Sequence, residues 1–274
     1  MLISRTLVKY VLTAALRDRL VLTLFMMILA GAGMSSFLGQ TGMTEKNAFS
    51  IVFGSAGLRF LSVLGVVLFC SFYVRRSFET KEVEFLLARP LSRQQFIISH
   101  AAAFYVMCLC LTALVTVAIL FLGRSDTAGL VLWSGSLAVE TMIMASVSLF
   151  FAMVLSSASG SALASIGFYA LSRVVGTLLV IASVPSGSFV FEVINNLMNV
   201  ISLIIPRLDL MCQSSWLVYG VDGSSGLSYL NGAGSYAHGV IEALGVSGFI
   251  VVQGLVFVCL VLGAAIFDFL RHEF

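Results

Sequence analysis

Six apolar runs set what this chain can fold into: Leu20–Leu38, Gly57–Val74, Phe96–Leu122, Ala128–Leu155, Ser161–Val184 and Val246–Phe269. Each is close to or longer than the roughly 20 residues that a helix needs to cross a bilayer's hydrocarbon core. Composition points the same way. Only 10% of the residues are charged, against roughly 25% in soluble domains, and 59% are hydrophobic with a mean hydropathy of +1.07. The expected fold is an all-α membrane protein of six transmembrane helices in a single domain, 1–274. Ala30-Gly31-Ala32 resembles a signal-peptide cleavage site. The basic region before it extends to Arg19, however, and the apolar run exceeds a signal core of about 7–15 residues, so an uncleaved first span is expected.

The segments between the runs differ in kind. Residues 2–16 predict an amphipathic helix lying in the headgroup plane, with Ile3, Leu7, Tyr10, Val11 and Ala14 on one face and Arg5 and Lys9 on the other. Gly39–Ser55 reads as a polar loop, Arg124-Ser125-Asp126 as a tight turn and Ser156–Gly160 as another. The small residues from Ser156 to Gly167 allow close helix approach, within one subunit or against a second one.

The segment Ser186–Gly245 is long. Within it Glu192, Asn195, Asn196 and Asn199 fall at i, i+3, i+4 and i+7 of an apolar pattern. That spacing predicts an outer amphipathic helix, ended by Pro206, whose polar face meets water or lines a polar exit. Residues 220–239 are Gly- and Ser-rich and read as a flexible loop.

Lys and Arg sort unevenly between the two sides. Arg5, Lys9, Arg17, Arg19, Arg75, Arg76, Lys81, Arg89, Arg93 and Arg271 fall on one side, against Lys46, Arg59, Arg124 and Arg207 on the other. The excess puts both termini in the cytoplasm. The cytoplasmic excess centres on Arg75–Phe96. There Glu79, Val83, Leu86 and Leu87 fit a short surface helix, Glu79–Ala88; Arg89-Pro90 stops it and Ser92 can cap the next helix.

The wording of that stretch, Glu82-x-Glu84-Phe85-Leu86-Leu87-Ala88-Arg89-Pro90-Leu91-Ser92-Arg93 followed by Phe96-Ile97, resembles the cytoplasmic loop of ABC-2-type permeases. It looks most like those linked to maturation of multicopper enzymes. Ser99-His100 departs from the family pattern, where many members carry Gly-Lys. The resemblance implies that the loop holds a coupling helix, with Glu79, Lys81, Glu82, Glu84, Phe85, Leu86, Arg89, Pro90 and Arg93 set against a separate ATPase subunit. It implies the permease subunit of an exporter in a bacterial inner membrane, paired with a second permease copy or paralogue and surrounded by lipid. ATP and Mg2+ would belong to the partner, and outer short helices would lie between the fifth and sixth spans. No nucleic-acid partner is expected.

Within the spans, Glu140 and Arg173 lie where a charge costs about 2.5–3.5 kcal/mol on insertion scales. Both are roughly 16 residues from the turn near Ser157, so an antiparallel hairpin brings them to one depth and predicts an intramembrane ion pair. A gradient-driven carrier or channel using these two residues in a polar pathway is the alternative function.

Other chemistry is sparse. His238 and Glu242 stand at i, i+4, but two ligands do not make a metal site. The chain has no phosphate-binding Gly-x-x-x-x-Gly-Lys-[Ser/Thr] loop and no nucleophile elbow, so it is not expected to be an enzyme or to hydrolyse ATP alone. The five cysteines read as small apolar residues rather than disulfide partners.

Overall fold

A computed structural model describes residues 4–40, 46–83, 92–123, 126–182, 205–220 and 235–271, with positions 193, 196, 197, 200 and 201 between them. Among these residues the chain is all-helical. Its elements are α1 (Arg5–Arg17), α2 (Arg19–Gln40), α3 (Lys46–Glu79), α4 (Arg93–Leu122), α5 (Thr127–Val154), α6 (Ala158–Ala182), α7 (Leu208–Met211), α8 (Ser215–Tyr219) and α9 (Ser235–Arg271). Six of them, α2 to α6 and α9, are long and apolar enough to cross a membrane, which makes this an integral membrane protein.

The second span corrects the expectation. Residues Lys46–Ser55 are helix, so α3 runs for 34 residues, ~50 Å at 1.5 Å per residue. Ser50, Gly54 and Ser55 looked like loop residues, but they are packing residues. Ser35 Oγ donates to the Ser50 carbonyl at 2.7 Å and Ser50 Oγ returns the bond to the Ser35 carbonyl at 3.1 Å. In lipid, apolar surface gives little drive for helices to associate. Small side chains and interhelical hydrogen bonds do more, and these two bonds zip α2 to α3.

The central helix is α5, which packs against α3, α4, α6, α8 and α9. Its buried residues run from Gly129 to Met153 and include Trp133, Glu140 and Ser148. Around it, Tyr105 and Ser146 bond across α4 and α5 at 2.6 Å, and Ser161 donates to Ser71 across α6 and α3 at 3.3 Å. Thus Ser161 of the small-residue stretch packs within the subunit.

One end of the bundle gathers several basic segments. Here α1 buries Leu7, Val11 and Ala15, and the Ser4 backbone N–H donates to Ser99 Oγ at 3.0 Å. Phe269 of α9 stacks on Phe96 at 5.9 Å, while Arg93 Nη1 donates to the carbonyls of Phe269 and Leu270. Arg75 Nη2 reaches the Ser156 carbonyl in the α5–α6 turn. The departure at Ser99-His100 has a local use. Ser99 ties down α1, and buried His100 donates Nδ1–H to the Phe96 carbonyl at 2.9 Å among Phe96, Tyr73 and Phe104.

As expected, Ser92 caps α4, and it does so through a capping box with Gln95. Ser92→Ala is expected to cost about 1 kcal/mol and to speed amide exchange over residues 93–96, measured by hydrogen–deuterium exchange.

At the opposite end α8 seats on the start of α5. The Asp126 backbone N–H donates to the Leu217 carbonyl at 3.2 Å, and Asp126 Oδ2 caps α5 by accepting from the Gly129 N–H at 2.8 Å. In α9 the backbone is non-helical at Gly245 (φ 73°). Helix therefore also precedes the expected span, which starts just after this kink. Of the expected outer amphipathic helix, positions 193, 196, 197, 200 and 201 are helical. Asn196 is exposed, but so are Val193, Leu197 and Val200. Glu192, Asn195 and Asn199 lie outside the described residues. All five cysteines are free; Cys110 and Cys259 are exposed rather than buried.

Candidate functional site

Two places concentrate chemistry: the end of α3 and a charge cluster inside the bundle. At the first, Glu79 is the last residue of α3 rather than the first of a separate helix. The chain then turns on Thr80 and Lys81. Lys81 adopts φ 55°, and its N–H bonds the Phe78 carbonyl at 3.1 Å. A left-handed non-glycine residue is uncommon and marks a sharp C-terminal turn. Glu82 and Val83, inside the expected surface helix, are helical, and Glu82 accepts the phenol O–H of Tyr10, on the exposed side of α1. That hydrogen bond, with the nearby carboxylate charge, raises the Tyr10 pKa and keeps the phenol a donor. The segment after α3 is thereby hooked to α1, and Arg93 is pinned to α9. Glu84, Phe85, Leu86, Arg89 and Pro90 lie outside the described residues.

In the second place, the expected pair is a triad. Glu140 is fully buried, and its closest cation is Arg59 rather than Arg173. Arg59 Nε donates to Glu140 Oε2, and Nη2 donates to Ser136 Oγ at 3.1 Å. Its guanidinium also lies 5.4 Å from the centre of the Trp133 ring. Arg173 does approach, with Nε 3.8 Å from Glu140 Oε1. That Nε–H, however, is spent on Tyr169 Oη at 3.0 Å, and the side chain is 25% exposed.

The sorting of Lys and Arg places Arg59 on the outer side, at the very edge of a run that starts at Gly57. With α3 beginning at Lys46, Arg59 sits ~20 Å along the helix, and its side chain is 1% exposed. A buried cation needs a buried partner, and Glu140 is that partner.

A second polar layer lies next to the triad. Arg207, also assigned to outer water, is 3% exposed. Its Nη2 and Nε donate to Asp209 at 2.7 and 3.3 Å, and its backbone N–H donates to Gln253 of α9 at 3.2 Å. Both residues press on α6. A Cβ at Gly176, one turn beyond Arg173, would lie 2.0 Å from Asp209 Oδ2 and 2.9 Å from Arg207 Nη2. Ser136 Oγ donates to the Met211 carbonyl at 2.8 Å, fastening α7 to α5. Cys212 feels Arg173, Arg59, Glu140 and Asp209; burial, the largest effect, pushes its thiol up. The layer therefore clamps α3, α5, α6, α9 and the α7 return segment together. Arg59 Nη1 and Arg207 Nη1 are buried without a hydrogen-bond acceptor among the described residues.

No group of three or more metal-ligating residues occurs among the described residues. The side chains of His238 and Glu242 lie outside the description. No family model matches the chain, and no curated protein matches it significantly.

Proposed function

We propose that this chain is the membrane-spanning permease subunit of an ABC transporter of the ABC-2 type, an exporter driven by a separate ATP-hydrolysing subunit. In this reading it works as a dimer in a bacterial inner membrane, with both termini and the segment 75–96 cytoplasmic. The observation that carries it is mechanical. Two long helices, α3 and α4, are joined by a charged segment that is braced to α1 through Tyr10–Glu82 and to α9 through Arg93. A push on such a segment moves both helices as rigid levers, and interfaces between packed helices pass small shifts on. The wording of residues 82–97, which resembles the ABC-2 loop, supplies the partner that does the pushing. Six spans and the short helices α7 and α8 before the last one agree with it in outline.

The gradient-driven carrier has less support. It would run its pathway past Glu140 and Arg173, but Glu140 is already closed onto Arg59 and fully buried.

The test is a mild-detergent pull-down of the tagged protein, with mass spectrometry and an ATPase assay on the eluate. A nucleotide-binding subunit should co-purify, and deletion of Glu79–Arg89 should release it. A single-subunit eluate without ATPase activity would overturn the reading. Within the complex, charge reversal at Glu82 and Glu84 is expected to leave insertion intact while ATP hydrolysis continues without transport. Tight coupling in that variant, assayed in proteoliposomes, would contradict the role given to this segment.

A further inference from the structure

A cleft of about 530 Å³ opens at the elbow where α1 turns into α2, walled on its far side by the end of α3. Three arginines line it: Arg17, Arg19 and Arg76. None of the three guanidiniums makes a hydrogen bond, ion pair or ring contact among the described residues. The two carboxylates in the same wall are already engaged. Asp18 Oδ1 accepts from the Leu20 N–H at 2.9 Å, starting α2, and Glu82 accepts from Tyr10. The cleft thus sets three guanidiniums without partners among the described residues against two carboxylates, a net positive lining for an incoming anion.

The elbow's other flank is chemically opposite. A groove of about 210 Å³ there is walled only by apolar residues, among them Leu12, Leu16, Val21, Leu24 and Phe25. An interfacial helix running into a span places this elbow at headgroup level, where basic pockets between helices hold anionic lipid headgroups. Guanidinium is suited to phosphate, because its fixed fork of donors matches phosphate oxygens.

We propose that the elbow is a binding site for an anionic phospholipid, its phosphate held by Arg17, Arg19 and Arg76 and its acyl chains against the apolar flank. The site needs no ATPase partner, so it stands or falls separately from the transport reading. A lipid seated there touches the wall that carries Tyr10 and Glu82, and so bears on the hook between α1 and the segment after α3.

The experiment is native mass spectrometry and thermal unfolding of the full chain in detergent, titrated with phosphatidylglycerol, phosphatidylcholine and inorganic phosphate. Phosphatidylglycerol should be retained at least tenfold more tightly than phosphatidylcholine and should raise the unfolding temperature, while inorganic phosphate does neither. Arg17→Gln with Arg76→Gln should abolish that preference. Arg5→Gln with Lys9→Gln removes the same charge from α1 outside the cleft and should preserve it. Equal binding of the two lipids would overturn the proposal. So would an equal loss in both double variants, which would make the attraction a diffuse surface effect. Phosphate binding as tightly as the lipid would reassign the cleft to a soluble phosphate compound.

Discussion

Glu140→Gln is expected to destabilise the protein by about 3–5 kcal/mol, the cost of stripping a buried charge of its partner. The reason is asymmetry. The neutral amide leaves Arg59, 1% exposed, as an uncompensated cation in the middle of the bundle. Arg59→Gln should cost a similar amount, since it leaves buried Glu140 with only the partly exposed Arg173 at 3.8 Å. The two losses should not add: once either partner is gone, removing the other relieves the stranded charge. Arg59→Met with Glu140→Leu should therefore recover most of the stability, because apolar replacement of a whole buried pair is often close to neutral.

Arg173→Gln should cost less, about 1.5 kcal/mol, the lower end for a hydrogen bond to a charged group. Its guanidinium is partly exposed and its Nε–H goes to Tyr169. Thermal unfolding in detergent across these variants checks the ranking. A severe Arg173→Gln beside a mild Arg59→Gln would make Arg173 the true partner and undo the assignment.

The second large effect is expected at Gly129. A Cβ there would lie 1.8 Å from the Trp216 carbonyl oxygen, a distance no contact tolerates. Because the obstacle is backbone, no rotamer change relieves it, and α8 must lift off the start of α5. That movement would also break the Asp126 N–H bond to the Leu217 carbonyl and expose Trp216 and Leu217, both buried. Gly129→Ala is therefore expected to cost at least the ~1–3 kcal/mol typical of overpacking. Fluorescence of Trp216 in a Trp133→Phe background would read the displacement directly as a red shift. An unshifted spectrum and unchanged melting would mean that α8 does not rest on Gly129.

Sequence made the six spans legible because length and apolarity are physical requirements of a bilayer, stated residue by residue. It was weaker on what the small polar residues do. Ser50, Gly54 and Ser55 mean loop in water, yet between helices in lipid the same residues mean close approach, and reading them the first way shortened α3. That one error displaced Arg59 to the surface and left Glu140 with Arg173 as its only visible partner. Depth matching still found Arg173 near Glu140, because the turn at Ser157 fixes the register of α5 and α6. The Tyr10–Glu82 hook was invisible for a different reason. It joins residues 72 positions apart, and nothing in either local pattern announces the other.

The clasp of Phe269 on Phe96, with Arg93 on the carbonyls of Phe269 and Leu270, carries a consequence for biosynthesis. The start of α4 emerges from the ribosome long before α9 does, so the basic end of the bundle stays unfinished until α9 inserts and folds back. A chain truncated before α9 is expected to lose the Phe269–Phe96 stacking and both Arg93 hydrogen bonds, leaving the start of α4 open at that end.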